Sequence, residues 1–181
     1  MRVHQNTSAG LIIDIQERLF PHINQNELLE QNTIKLIEGL KILNIPILIT
    51  EQYTKGLGTT ISNIKNSLGN EYNPVEKSEF SCYDCKPFVE VLEIIGKKNI
   101  IIAGIESHVC VLQTSLDLMQ NGFIPIIIED CISSRNPNDK KWAIDRIQRT
   151  GGVISTYESI LFELCRVSGT SQFKQISKLV K

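Results

Sequence analysis

Asn99–Thr114, "NIIIAGIESHVCVLQT", is the stretch whose reading decides the fold. Its first seven residues are an isoleucine-rich run without polar alternation, the pattern of a strand covered on both faces, as in parallel sheets. Val109, Leu112, Leu116 and Met119 then recur at helical spacing until Asn121 and Gly122 end them. A buried strand therefore hands over to a helix within a few residues, and Cys110 sits at the handover.

Working outward, the same kind of run recurs at "LIIDI" (Leu11–Ile15), "IPILIT" (Ile45–Thr50), "IPIIIED" (Ile124–Asp130) and "GVIST" (Gly152–Thr156), with a weaker strand ending near "PVEK" (Pro74–Lys77). Helical stripes lie between them: Leu36, Leu40 and Leu43; Phe88, Val91, Leu92 and Ile95; and Trp142, Ala143 and Ile147, the last stopping at Gly151 and Gly152. Strand and helix alternating at this spacing predict right-handed βαβ crossovers and a parallel sheet with helices on both faces. The 181 residues suit one domain, 1–181. "EQYTKGLGTTISN" (Glu51–Asn63) reads as a long loop at the carboxyl end of a strand, where open α/β sheets bind ligands, and so as a candidate wall or lid.

Nineteen Lys and Arg against 20 Asp and Glu give a formal charge of −1, so there is no global electrostatic case for nucleic acid or an anionic membrane. A small-molecule substrate or a second copy of the chain is the expected partner. The absence of a membrane-spanning or signal-like apolar run makes a cytoplasmic protein the expectation. Five cysteines, an odd number, argue against a disulfide framework.

Charges that end buried strands need a partner or a task, because burying one alone costs several kcal/mol. Asp14, inside "LIIDIQ", is either a loop cap or a base. Lys77, taken alone, is an ordinary solvated lysine. Cys110 is either a small core residue or a nucleophile; a helix start lowers a thiol's pKa and offers N–H groups to an oxyanion. His108 is two residues away, and residues two apart do not face each other on a helix. The strand before Cys110 and the first strand flank the topological switch point of such a sheet, which brings Asp14 toward the thiol and favours a carboxylate base. "CYDC" (Cys82–Cys85) is one CxxC pair without a second, so coincidence outranks zinc. "SSRNPND" (Ser133–Asp139) reads as turn and N-cap residues.

The Asp of "LIIDIQ", the Lys of "VEKSEFS" and the Cys of "GIESHVCVLQT", in this order and spacing, resemble the isochorismatase-like cysteine hydrolases, nearest to the isochorismatase domain-containing branch. "ISSR", "AIDRI", "YES..FEL" and "SQFKQISKLVK" extend the resemblance along essentially the whole chain. The resemblance implies a Rossmann-like three-layer α/β/α sandwich with a six-stranded parallel sheet in order 3-2-1-4-5-6. It implies Cys110 as nucleophile, Asp14 as base and Lys77 as the cation that pairs with Asp14 and keeps the thiol pKa low. It also implies a cis peptide at Ile105–Glu106 that aims N–H groups into an oxyanion hole, and hydrolysis of a small amide through a thioester.

Gln16, Phe20, Tyr53 and Leu57 are candidates for pocket lining, with core packing or a solvated loop as the alternative. The nicotinamidase branch holds a metal through Asp and His after its second strand; "TEQYTKGLG" has neither, so no metal and no other cofactor are expected. Two rival readings remain. One is a catalytically silent homo-oligomeric scaffold docking through Phe173, Ile176 and Val180. The other is a thiol redox protein pairing Cys110 with Cys82, Cys85 or Cys131.

Overall fold

A computed structural model describes residues 1–181. Six parallel strands, β1 (Ser8–Ile13), β2 (Ile47–Gln52), β3 (Val75–Lys77), β4 (Asn99–Ile105), β5 (Ile124–Ser133) and β6 (Val153–Ser155), form one sheet in the order 3-2-1-4-5-6. The helices are α1 (Asn26–Ile42), α2 (Thr54–Leu57), α3 (Ser62–Leu68), α4 (Lys86–Ile95), α5 (Leu112–Gln120), α6 (Pro137–Thr150), α7 (Tyr157–Cys165) and α8 (Ser171–Leu179). This is the sandwich implied by the sequence, and no helix is long and apolar enough to cross a membrane.

The three layers follow from the period-2 alternation of the central strands. Ile12, Ile101, Ala103 and Ile105 pack against α1, α3, α7 and α8 through Leu36, Leu40, Ile64, Leu161 and Ile176. Ala9, Leu11, Ile13, Ile100 and Ile102 face the opposite layer, α4, α5 and α6, through Phe88, Leu92, Leu118 and Ile147. Each fully buried Leu or Ile contributes about 1.5–3 kcal/mol relative to exposure, so both faces of the sheet are strongly specified. Gly104 lets β1 and β4 close up, since a Cβ there would lie 2.6 Å from the Ile13 carbonyl oxygen.

Several details differ from the expectation. β1 starts at Ser8 and ends before Asp14, so Asp14 follows the strand instead of lying inside it. β5 runs on to Ser133 because its pairing with β4 jumps register between Ile102 and Gly104, bulging the strand. Trp142 is exposed; Ala143 and Ile147 are the residues by which α6 packs. Phe173, Ile176 and Val180 are used within the chain: Ile176 is buried in the α1 layer, Val180 packs on it, and Phe173 lies against Phe162 with ring centroids 6.1 Å apart. Ile176 is thus unavailable to a second copy, while Phe173 and Val180 stay half-buried.

Glu51–Asn63 is a folded connection. It holds the short α2, bridges Thr60 to Gln16, and is tied down by the buried Glu51 carboxylate. Glu51 Oε1 accepts from the Thr60 N–H (2.7 Å), the Thr60 hydroxyl (2.7 Å) and the Tyr72 hydroxyl (2.5 Å). Burial and the Glu51 bond push the Tyr72 phenol up to about 12.

Candidate active site

Three neighbouring strands end in the same unusual way. The residue after β1 is Asp14 (φ 54°), after β2 Tyr53 (φ 41°) and after β4 Glu106 (φ 55°), all in the left-handed region without being glycine. Such a residue costs about 1–2 kcal/mol, and strain of this kind gathers where surrounding structure overrides it, as at functional sites. Here three strained turns sit side by side along the carboxyl edge, at the point where the sheet order reverses.

Within that edge lies a buried ion pair. The Lys77 ammonium donates to Asp14 Oδ2 at 2.6 Å, with side chains 0% and 2% exposed. Its remaining protons reach the carbonyls of Glu79 (3.1 Å) and Phe80 (3.3 Å). The Thr50 hydroxyl donates to Asp14 Oδ1 at 2.8 Å, so both carboxylate oxygens are held. Burial works against the Lys77 charge, but the Asp14 carboxylate together with the Cys82 and Cys110 sulfurs offsets it and raises the ammonium's pKa above the ordinary lysine value. Lys77 is thus a charged, desolvated group, and the solvated lysine considered from sequence is ruled out.

Cys110 is buried beside this pair, and its thiol donates to Gln52 Oε1 at 3.1 Å. The expectation of a low thiol pKa is overturned. Burial first, and the Asp14 carboxylate second, push the thiol well above its ordinary value, and Lys77 only partly counters them. The local helix is also not the one expected, since residues Ser107–Val111 form a π-helical turn ahead of α5.

All peptide bonds are trans, including Ile105–Glu106, so the expected cis bond is corrected as well. The chain instead makes its sharp bend by the left-handed backbone of Glu106. That residue's buried carboxylate binds the Arg135 guanidinium through Oε1, while Oε2 and the neighbouring Ser107 hydroxyl have no hydrogen-bond partner. His108 faces away from the thiol, toward Ser134 Oγ (3.0 Å) and Glu106 Oε2 (3.4 Å).

The pocket candidates divide. Tyr53 is exposed at the edge, its N–H donating to the Lys77 carbonyl (2.9 Å) and its ring lying over Gly56. Leu57 is half-buried on α2. Phe20 packs into the α1 layer, on the other side of the sheet from Cys110. Gln16 has no exposure; its amide accepts the Gln52 N–H (2.8 Å) and donates to the carbonyls of Gln52 (3.0 Å) and Gly58 (2.6 Å). Every hydrogen-bonding position that Gln16 needs is filled from the protein, so it clamps β2 and is not free for a ligand.

Sequence reasoning missed Thr50 and Gln52. Leu48, Thr50 and Gln52 alternate along β2 onto one face, so the strand that buries Leu48 in the α4 layer also points Thr50 at the carboxylate and Gln52 at the thiol. The period-2 signal was readable. Cys82 and Cys85, the CxxC pair, are both buried; Cys82 Sγ lies 3.8 Å from the Thr50 hydroxyl, and burial followed by Asp14 pushes its thiol to about 12.

The sequence and the 3-2-1-4-5-6 fold that carry this cysteine-bearing turn have counterparts among known proteins. The isochorismatase domain model matches residues 8–159. The chain belongs to the isochorismatase family. Within the family it is 35% identical over 175 residues to isochorismatase domain-containing protein 1 of Danio rerio, covering 97% of this chain but 61% of that protein. The chain thus spans about three fifths of that relative's length. It is 39% identical over 183 residues to isochorismatase family protein 1A of Dictyostelium discoideum, covering 96% of this chain and 86% of that one. Among solved structures, MAR1 ribonuclease of Caenorhabditis elegans superposes with a TM-score of 0.92 at 33% identity, over 99% of this chain and 92% of that one. The fold is that of isochorismatase-like hydrolases.

Proposed function

We propose that this isochorismatase-family chain is a metal-independent cysteine hydrolase that cleaves the C–N bond of a small amide, with Cys110 as nucleophile, Asp14 as general base and Lys77 as the cation that holds Asp14. The observation that carries the reading is the buried Lys77–Asp14 pair, 2.6 Å long, in the same shell as a buried thiol. A buried ion pair is seldom a net stabiliser compared with apolar packing, so its position at a strained strand edge argues for chemistry.

In this reading the resting nucleophile is a neutral thiol, as its raised pKa requires, and it is deprotonated only during attack. The thiol proton passes to Asp14 as Sγ bonds to the carbonyl carbon. N–H groups of the turn between Glu106 and Cys110 receive the oxyanion. The C–N bond then breaks, the leaving amine takes the proton from Asp14, and a thioester remains on Cys110. Water attacks that thioester, giving one proton to Asp14; the acid leaves and the proton returns to sulfur. Lys77 keeps a positive charge beside Asp14 throughout and makes the carboxylate's position independent of solvent.

The test is incubation with a panel of small amides and ureides, with intact-mass detection of an acyl adduct and turnover assays of wild type, Cys110→Ala and Asp14→Asn. An adduct lost in Cys110→Ala and turnover lost in both variants is expected. Turnover indifferent to both substitutions would end the triad assignment, and no adduct or turnover at all would favour a silent scaffold. A single-stranded RNA belongs in the panel because the C. elegans relative is described as a ribonuclease. The Lys77 charge is spent on Asp14, however, which leaves no free buried cation at the thiol for a phosphodiester.

A further inference from the structure

The thiol's hydrogen bond at rest goes to Gln52, whose amide oxygen accepts the Cys110 S–H at 3.1 Å, while the Asp14 carboxylate stands within reach of the same sulfur and raises its pKa. We propose that Gln52 is a substrate-displaced latch: its oxygen holds the thiol proton at rest, and the N–H of a bound primary amide takes that oxygen and so releases the thiol proton toward Asp14. This rests on the reading of Cys110 as the nucleophile.

Three observations support it. The latch is rigidly mounted: Gln16 grips the Gln52 backbone at both N–H (2.8 Å) and carbonyl (3.0 Å), and the next residue, Tyr53, is pinned to the Lys77 carbonyl (2.9 Å). Its other end is loosely held, since Gln52 Nε2 reaches only the Ser78 carbonyl, at 3.4 Å. The base is already engaged, with Thr50 on Oδ1 and Lys77 on Oδ2, so at rest the thiol has a better-placed acceptor in Gln52 than in Asp14.

The chemistry follows from what each acceptor can do. An amide oxygen accepts a hydrogen bond from a thiol but is far too weak a base to take its proton, so a thiol turned toward Gln52 is stored without being ionised. A carboxylate can take the proton. A ligand N–H competing for the Gln52 oxygen leaves S–H without an acceptor except Asp14, and rotation about the Cβ–Sγ bond presents the proton there. No bond is made or broken in that step. Primary amides and ureides carry the required N–H next to the carbonyl, whereas esters do not, so Gln52 acts as a positioning residue that also selects for amides.

Acrylamide and methyl acrylate separate these effects without needing turnover. Both add the Cys110 sulfur to the same β-carbon, the thiol proton ending on the α-carbon, and only acrylamide brings an N–H. Labelling of Cys110 is followed by intact mass, and the acrylamide to methyl acrylate rate ratio is compared with that of free glutathione. In wild type the ratio is expected to exceed the glutathione value by about tenfold, the discrimination a buried polar group imposes on a ligand lacking its partner. Gln52→Leu is expected to bring the ratio down to that of glutathione. Gln52→Glu, which keeps an acceptor but adds a charge beside sulfur, is expected to slow both reagents while keeping the ratio raised. Both variants preserve the main-chain grip of Gln16. A wild-type ratio equal to that of glutathione, or one unchanged in Gln52→Leu, overturns the latch. Failure of hydrolysis with the ratio shift intact instead counts against the hydrolase reading alone.

Discussion

The chain contains two cysteine–carboxylate neighbourhoods, and they differ in ways that show what makes a reactive site. Cys131 Sγ lies 3.8 Å from Asp130 Oδ1, inside the bulge of β5, and burial followed by the Asp130 charge pushes its thiol well above the ordinary value. Cys110 has the same two influences in the same order. A raised thiol pKa therefore does not mark the nucleophile. What the Cys131 neighbourhood lacks is a fully buried cation, since the Lys140 side chain is 21% exposed and pairs with Glu129 at 2.7 Å, and a carboxylate held on both oxygens by side chains, since Asp130 Oδ1 takes the Tyr157 N–H at 2.9 Å as a helix-start contact. The Cys110 neighbourhood, which Cys82 shares, combines a thiol, a carboxylate gripped from two sides and an ammonium with no solvent contact.

The contrast is broken most directly at the two sulfurs. Cys110→Ala is expected to reduce kcat/KM by about 1000-fold or more, as loss of a nucleophile does. Cys131→Ala is expected to stay within about twofold, with a stability loss of about 1 kcal/mol from the small cavity it leaves. Equal effects in the same assay would erase the distinction between them.

The cations come next. Lys77→Met leaves Asp14 buried without its counter-charge and is expected to lower stability by about 3–5 kcal/mol in urea unfolding, whereas Lys140→Met breaks a partly exposed pair and should cost under about 1 kcal/mol. Adding Asp14→Leu to Lys77→Met is expected to recover part of the loss, because it removes the stranded charge.

A smaller effect, shared by both neighbourhoods, appears with pH. The thiol of Cys82 moves from an ordinary value of 9.0 to about 12 on folding, and those of Cys110 and Cys131 also rise. A group with a raised folded pKa contributes its stability below the unfolded pKa and loses it as pH climbs through the folded one. Urea midpoints are therefore expected to fall progressively above about pH 9, and Cys82→Ala to flatten that decline. Lys77, also raised, acts in the same direction. The smallest effect is expected for Asp130→Asn. Burial raises the Asp130 pKa, so its folded form favours the proton and its contribution is lost as pH rises. At neutral pH the amide is expected to match wild type in activity and to equal or slightly exceed it in thermal midpoint.

Much of this was legible in the residues. Uninterrupted apolar strands gave the two-sided sheet, the family resemblance supplied its order, and a charge at each of two strand ends marked Asp14 and Lys77. Three expectations failed for definable reasons. A low thiol pKa was expected from helix position and from the Lys77 charge, but burial and the facing Asp14 carboxylate outweigh Lys77. The bend before Cys110 is made by φ at Glu106 and not by a cis bond, and local sequence does not distinguish the two. Gln16 was a pocket-lining candidate, yet its amide is engaged by backbone partners from β2 and the α2 turn, which are distant in sequence. Gln52 was overlooked because it lies inside a segment read as loop, although β2 continues to it.

The left-handed residues that follow β1, β2 and β4 bear on how this protein can change over time. At Tyr53 and Glu106 a glycine would relax the backbone by about 1 kcal/mol. Selection for heat tolerance alone would favour such a change, and selection for turnover would oppose it wherever the side chain or the rigid turn serves the reaction. A thermostability screen that scores only folded protein would therefore drift toward glycine at this edge and enrich for robust, poorly active descendants.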